Sequence, residues 1–150
     1  MDCDADGKLE ITTQAELDAL LKDTNTRPIT TKIRYLQIRI LKEEEEPNIP
    51  QRWPNLPNLE SLQIDGTHGK RIGERGCLAV AQALQHNACP HLKTLHLGGN
   101  SIGERGCEAL AQALQHNACP HLTTLSLFLN SIGERGCEAL AQALQHNACP

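Results

Sequence analysis

Two consecutive stretches of the chain are nearly identical. Residues 72–101 read IGERGCLAVAQALQHNACPHLKTLHLGGNS, and residues 102–131 read IGERGCEALAQALQHNACPHLTTLSLFLNS. These two segments of 30 residues share 24 identities, and residues 132–150 repeat residues 102–120 without a change. A period of this length indicates an array in which each unit packs on its neighbours. We therefore predict regular 30-residue units over residues 72–150, the last of them incomplete.

Each unit combines a helix pattern with a strand pattern. In the second unit, apolar residues recur at i, i+3, i+4 and i+7, the spacing of one helix face: Cys107, Leu110, Ala111 and Leu114. We expect Gly106 to open this helix and Asn117 to close it, and Pro120 prevents its continuation. Leu125 and Leu127 then alternate with polar residues, as in a strand. Stacked units would form a parallel sheet on one side and a layer of helices on the other.

The strand and the turn after it follow the frame Leu122-x-x-Leu125-x-Leu127-x-x-Asn130-x-Ile132. This frame resembles the leucine-rich repeat of the ribonuclease-inhibitor type, which also occurs in NOD-like receptors. The resemblance implies an α/β solenoid with a parallel β-sheet on its concave face and helices on its convex face. It also implies that Asn100 and Asn130 point inward and satisfy backbone groups where the chain leaves each strand.

The pattern is less regular upstream of residue 72. Apolar residues at strand spacing begin two irregular repeats within residues 33–71, and the connection between them contains four prolines, so it is not a regular helix. We interpret residues 1–32 as an N-terminal cap with a short strand at residues 9–11 and a helix. Thr13 and Glu16 have the spacing of a capping box at the start of that helix. Outside this cap, the pattern predicts four strands.

Composition excludes several classes of function. The net charge is −4 and no block of Lys or Arg occurs, so neither nucleic acid nor an anionic membrane is an expected partner. No stretch approaches the roughly 20 apolar residues that span a bilayer, and the first residues do not resemble a signal peptide. We expect a cytoplasmic protein with reduced thiols. No glycine-bounded nucleophile or phosphate-binding loop is present, so we expect neither an enzyme nor a cofactor.

Differences between the two full units indicate where a partner binds. Of six differences, four lie in or just after the strand, at positions 93, 96, 98 and 99. We therefore predict a protein-protein interaction module that binds a protein or peptide through outward-facing residues of the sheet: Tyr35, Gln37, Arg39, Ser61, Gln63, Asp65, Thr94, His96, Gly98, Thr124, Ser126 and Phe128. Phe128 is the only Phe. It is either an anchor for the partner or folds over Leu129 to shield the next coil.

Several alternatives remain open. In one alternative, the repeats are a structural or sensor segment of a longer regulatory protein. In another, the open C-terminal coil associates end to end with a second copy of the chain. Asp2, Asp4 and Asp6 resemble the start of an EF-hand loop and suggest weak calcium binding. His86, Cys89 and His91 are residue types that bind zinc, although we predict no metal there. A disulfide between Cys89 and Cys119, and a docking role for the acidic run at residues 43–46, are further minor alternatives.

Overall fold

The chain alternates strands and helices along a single parallel sheet. The computed structural model describes residues 3–22, 29–39, 53, 55–67 and 70–146. Its elements are β1 (Lys8–Ile11), α1 (Gln14–Lys22), α2 (Ile29–Lys32), β2 (Tyr35–Ile38), β3 (Ser61–Ile64), α3 (Gly73–Gln85), β4 (Thr94–His96), α4 (Gly103–Gln115), β5 (Thr124–Ser126) and α5 (Gly133–Gln145). The five strands lie in chain order and all are parallel, so the predicted α/β solenoid with a parallel sheet is confirmed.

The short strand predicted in the N-terminal segment is present, and it lies in the sheet beside the four strands predicted outside that segment. β1 pairs in parallel with β2, with Lys8 opposite Tyr35. Leu9 and Ile11 are buried while their neighbours are exposed, which is the alternation of a strand with one face on the core. The segment read as a separate cap therefore extends the same sheet.

The capping box at the start of α1 is confirmed. The Glu16 carboxylate accepts the backbone N–H groups of Thr12 at 2.8 Å and of Thr13 at 3.1 Å, and the Glu16 N–H donates to the Thr13 hydroxyl at 3.2 Å. The hydrogen bond from the Thr12 backbone is the main cause of a lowered pKa for Glu16. This cap holds Leu17 and Leu20 against the first coil of the core, where both are fully buried.

The core lies between the sheet and the helices and is aliphatic. Each central strand directs alternate residues inward, and each regular helix directs one face onto the sheet; examples of fully buried residues are Leu36, Leu62, Leu95, Leu110 and Leu114. Within the part of the chain that the structure describes, every helix is too short or too polar to span a bilayer.

Gly106 does not open α4, contrary to the sequence prediction. The helix begins at Gly103, whose φ of +71° favours glycine. Gly106 instead lies inside the helix, where a Cβ atom would stand 2.6 Å from Cγ2 of Ile102 and 3.2 Å from Cβ of Cys77. The Cys77 thiol donates to the Gly106 carbonyl at 3.3 Å. Gly106 is therefore a close-packing position between neighbouring helices.

Candidate functional site: the concave sheet face

The sheet face turned away from the helices, here called the concave face, carries two aligned rows of side chains. The first row is Lys8, Tyr35, Ser61, Thr94 and Thr124. The second row is Glu10, Gln37, Gln63, His96 and Ser126. At the usual strand spacing, five strands span roughly 20 Å. Sequence reasoning missed Lys8 and Glu10 because it treated their segment as a cap, although the alternation in Lys8–Ile11 was the available sign.

A third row follows the strand ends, and its first half is charged. Arg39 and Asp65 form an ion pair, with Nη2 and Oδ2 3.3 Å apart. The other carboxylate oxygen of Asp65 accepts the Thr67 backbone N–H at 2.9 Å and the Thr67 hydroxyl. Asp65 therefore fixes both the turn after β3 and the orientation of the Arg39 guanidinium.

The second half of this row is apolar, and it consists of Gly98 and Phe128. A Cβ atom on Gly98 would stand 2.2 Å from Cε1 of Phe128, so the ring occupies the space that glycine leaves. The ring thus covers the preceding coil and not the next one. Its side chain is still 56% exposed, and that of Leu129 is 77% exposed. Gly98 and Phe128 occupy the same position in successive units, and the absence of a side chain at Gly98 leaves room for the Phe128 ring.

A small cleft lies beside the Phe128 ring. It has a volume of about 90 Å³ and is lined by Gln63, Ile64, Asp65, Thr67, His96, Gly98 and Phe128. The ring supplies an apolar wall, whereas His96 and Asp65 supply polar groups. A cleft of this size and lining fits one side chain of a partner, and it joins the charged and apolar halves of the third row.

Two buried asparagines hold the turns that position this row. The Asn100 amide donates to the Ile64 carbonyl at 2.7 Å, and the Asn130 amide donates to the Leu97 carbonyl at 2.7 Å. The Asn130 side-chain oxygen accepts the Asn100 backbone N–H at 2.8 Å. Asn130 also donates to the Phe128 carbonyl at 3.2 Å. Each asparagine therefore satisfies backbone groups of its own coil and of the coil before it.

Asp4 and Asp6, near the start of the chain, lie in a closed turn. One carboxylate oxygen of Asp4 accepts the backbone N–H groups of Asp6 at 3.0 Å and of Lys8 at 2.8 Å. Asp2 and the acidic run at residues 43–46 lie outside the described residues. Among the residues that are described, no group of three or more His, Cys, Asp or Glu side chains has an arrangement that could hold a metal ion.

His86, Cys89 and His91, the residue types that bind zinc, do not come together as one group of ligands. Cys89 is buried, and burial, together with the nearby Cys119, raises the pKa of its thiol to about 12. His91 is exposed, whereas this thiol lies in the core. The six cysteines in the described ranges form no disulfide, so Cys89 and Cys119 are adjacent thiols and not a bridge.

Comparison with known proteins identifies the repeat. A family model described as Leucine Rich repeat matches residues 88–111 and residues 118–141. Each match runs from the turn before a strand, through the strand and its buried asparagine, into the following helix. No curated protein matches the chain.

Proposed function

We propose that this leucine-rich repeat protein is an interaction module whose concave face binds a protein or peptide. Leucine-rich repeats are generally protein-interaction modules. The observation that carries the proposal is Phe128, the only Phe in the chain, which lies 56% exposed at the end of a polar sheet face. Exposed aromatic anchors of this kind supply much of the binding energy of interfaces.

The distribution of differences between units supports the same face. The buried framework of units 72–101 and 102–131 is nearly unchanged, while the concave positions differ: His96 against Ser126, and Gly98 against Phe128. At the β4–β5 end of the concave face, Thr94 and Thr124 add uncharged polar side chains. The end nearer β1 is charged, because it carries Lys8, Glu10 and the Arg39–Asp65 ion pair. The surface therefore favours a partner that places an apolar group near Phe128 and polar groups toward β1.

The finer assignments are also proposals. Regular 13-residue helices in every full unit support the ribonuclease-inhibitor type of repeat. Seven cysteines, several of them buried thiols, suit a reducing cytoplasmic compartment. The net charge of −4 argues against nucleic acid or anionic membrane as the partner. Leucine-rich repeat proteins are typically non-enzymatic, and we propose no catalytic role.

Selection of peptides on the intact chain tests the proposal. Peptides selected from a random displayed library are titrated against wild type, Phe128→Ala and the control Gln112→Ala, which alters an exposed position of the convex helix α4. Phe128→Ala should weaken binding by about 1–3 kcal/mol and leave the thermal unfolding midpoint nearly unchanged. Peptides that bind Phe128→Ala as tightly as wild type, but lose affinity for Gln112→Ala, would place the binding surface on the helices instead.

A further inference from the structure

Two histidines of successive units meet at the edge of the sheet where the strands begin. His91 and His121 each stand three residues before a strand, and the strand register pairs Thr94 with Thr124. The pairing extends below the strands, because the Thr123 N–H donates to the Lys93 carbonyl at 2.8 Å. The 30-residue period therefore places the two imidazoles side by side.

The two rings have accessible nitrogens. Their centroids are 5.7 Å apart and their planes differ by 26°. Both side chains are exposed, and both line an open groove of about 410 Å³. Among the described residues, neither ring has a hydrogen-bond partner, whereas Nδ1 of His116 lies 2.7 Å from the Gln112 carbonyl. The nitrogens of the pair are thus available to a ligand.

The basic residues that line the groove repel a cation at the histidine pair only weakly. Nζ of Lys93 lies 2.9 Å from Oε2 of Glu60, so this charge is balanced locally. Arg34 binds the other oxygen of the same carboxylate, with Nε at 2.8 Å. Arg34 and Lys32 belong to the coil two strands away from His91, roughly 10 Å at the usual strand spacing. That distance is about one Debye length at 0.1 M salt, so their repulsion is largely screened.

We propose that His91 and His121 together bind a divalent transition metal ion, such as Zn²⁺ or Ni²⁺. Imidazole nitrogen is a preferred ligand of these ions. Two nitrogens at about 2.0–2.1 Å from one ion lie about 3 Å apart, which neighbouring rings reach by rotation of their side-chain torsions. Water, or a group supplied by a partner, completes the coordination. The ligands come from two units, which is why a motif within one unit did not reveal the site.

Nickel titration of the full chain tests the site, with variants taken from the chain itself. Asn58 occupies the equivalent position one coil earlier, so His91→Asn and His121→Asn introduce a residue that the fold accepts there. Each should weaken Ni²⁺ binding roughly tenfold or more at pH 7.5, because one of two protein ligands is lost. The matched control is His96→Ser, which copies Ser126 and should keep wild-type affinity.

A rescue experiment separates a paired site from two independent imidazoles. In the His121→Asn chain, Asn58→His should restore binding by pairing with His91, because β3 and β4 have the same register as β4 and β5. In wild type, paramagnetic Ni²⁺ should broaden the imidazole resonances of His91 and His121 first. The proposal would be overturned if His121→Asn bound Ni²⁺ with wild-type affinity, or if His96→Ser lost as much Ni²⁺ affinity as His121→Asn. It would also be overturned if the rescue variant had native circular dichroism but did not regain Ni²⁺ binding.

Discussion

The helices α4 and α5 have the same sequence but different surroundings. Leu110 and Leu114 of α4 are fully buried. Their counterparts in α5 are more exposed: Leu140 is half-buried, and Leu144 is 52% exposed. The cause is the neighbour: α5 packs on α4, but no described element packs on the far side of α5. Burial in this fold is therefore a property of the stack, and identical residues contribute to stability according to the coil that follows them.

The largest expected difference is in leucine truncation. Leu114→Ala should lower the free energy of unfolding by about 2–5 kcal/mol, because it leaves a cavity among fully buried neighbours. Leu144→Ala should lower it by less than about 1 kcal/mol, because half of that side chain is already in water. Urea denaturation of both variants measures the two values. Equal losses would mean that the face of α5 is covered in solution, for instance by a second copy.

Thiol chemistry should show the next largest difference. Burial is the main cause of a pKa of about 11 for the Cys107 thiol, whereas Cys137 is exposed. Near pH 8, Cys107 should react roughly 100-fold more slowly than an ordinary exposed thiol, since each pKa unit changes the thiolate fraction about tenfold.

Mass spectrometry can follow the two thiols separately. Trypsin cleaves after Arg105 and Arg135, so Cys107 shares its peptide with Cys119 and Cys137 shares its peptide with Cys149, and fragment ions of each peptide locate the label. The denatured chain is the control and should label both at one rate. Equal rates in the folded chain would contradict the difference in burial.

Hydrogen exchange sharpens the comparison at the backbone. Because α4 and α5 have one sequence, their amides have the same intrinsic exchange rates, and any difference reports opening of the structure alone. We expect the amides of α5 to exchange at least about tenfold faster than those of α4. Matching protection in a dilute monomer would show that an exposed face does not loosen this helix.

The smallest expected effect concerns the ion pairs that tie three coils together. Glu60 binds Arg34 and Lys93, and hydrogen bonds first from Lys93 and then from Arg34 lower its pKa. A lowered folded pKa means that Glu60 stabilises the fold above the usual carboxyl pKa of about 4.3 and loses that contribution as pH falls through the folded value.

Glu60→Gln should accordingly lower the unfolding midpoint slightly at pH 7, and the difference from wild type should shrink as the pH falls below the usual carboxyl pKa. The difference should shrink in high salt, because the partners are exposed. Glu10→Gln, in β1, is the matched control. A decrease of the same size at every pH would mean that the substitution acts through packing.

Periodicity within a unit predicted much of the fold. The helix face of α4 and the strand alternation follow from residues close in sequence, whereas the inward positions of the asparagines followed from the resemblance to leucine-rich repeats. β1 was read as a cap because it lacks the repeat, and its place in the sheet depends on pairing with β2. Gly106 was read as a helix start because its contact with Cys77 of the neighbouring helix is invisible within one unit.

The site was predictable only in part for the same reason. Outward strand positions follow from alternation, so most of the two concave rows could be assigned from sequence. The placement of Phe128 over Gly98, and of His91 beside His121, depends on the offset between coils. Patterns inside a unit fix which face a residue occupies, while the stacking register decides which residue it meets.

The asparagine and thiol hydrogen bonds also bear on how such an array changes in evolution. Asn130 accepts from Asn100, and Cys77 donates to Gly106, so these contacts join residues 29 or 30 positions apart. When a gene segment that encodes 30 residues of the array is duplicated, the new unit makes the same contacts with its neighbours, wherever the boundaries of the segment lie. No compensating substitutions are needed. Insertion of a fraction of a unit breaks the contacts that span the insertion, because their residues no longer lie one period apart. The array can therefore lengthen readily in whole steps, which agrees with the unchanged copy of residues 102–120 at residues 132–150.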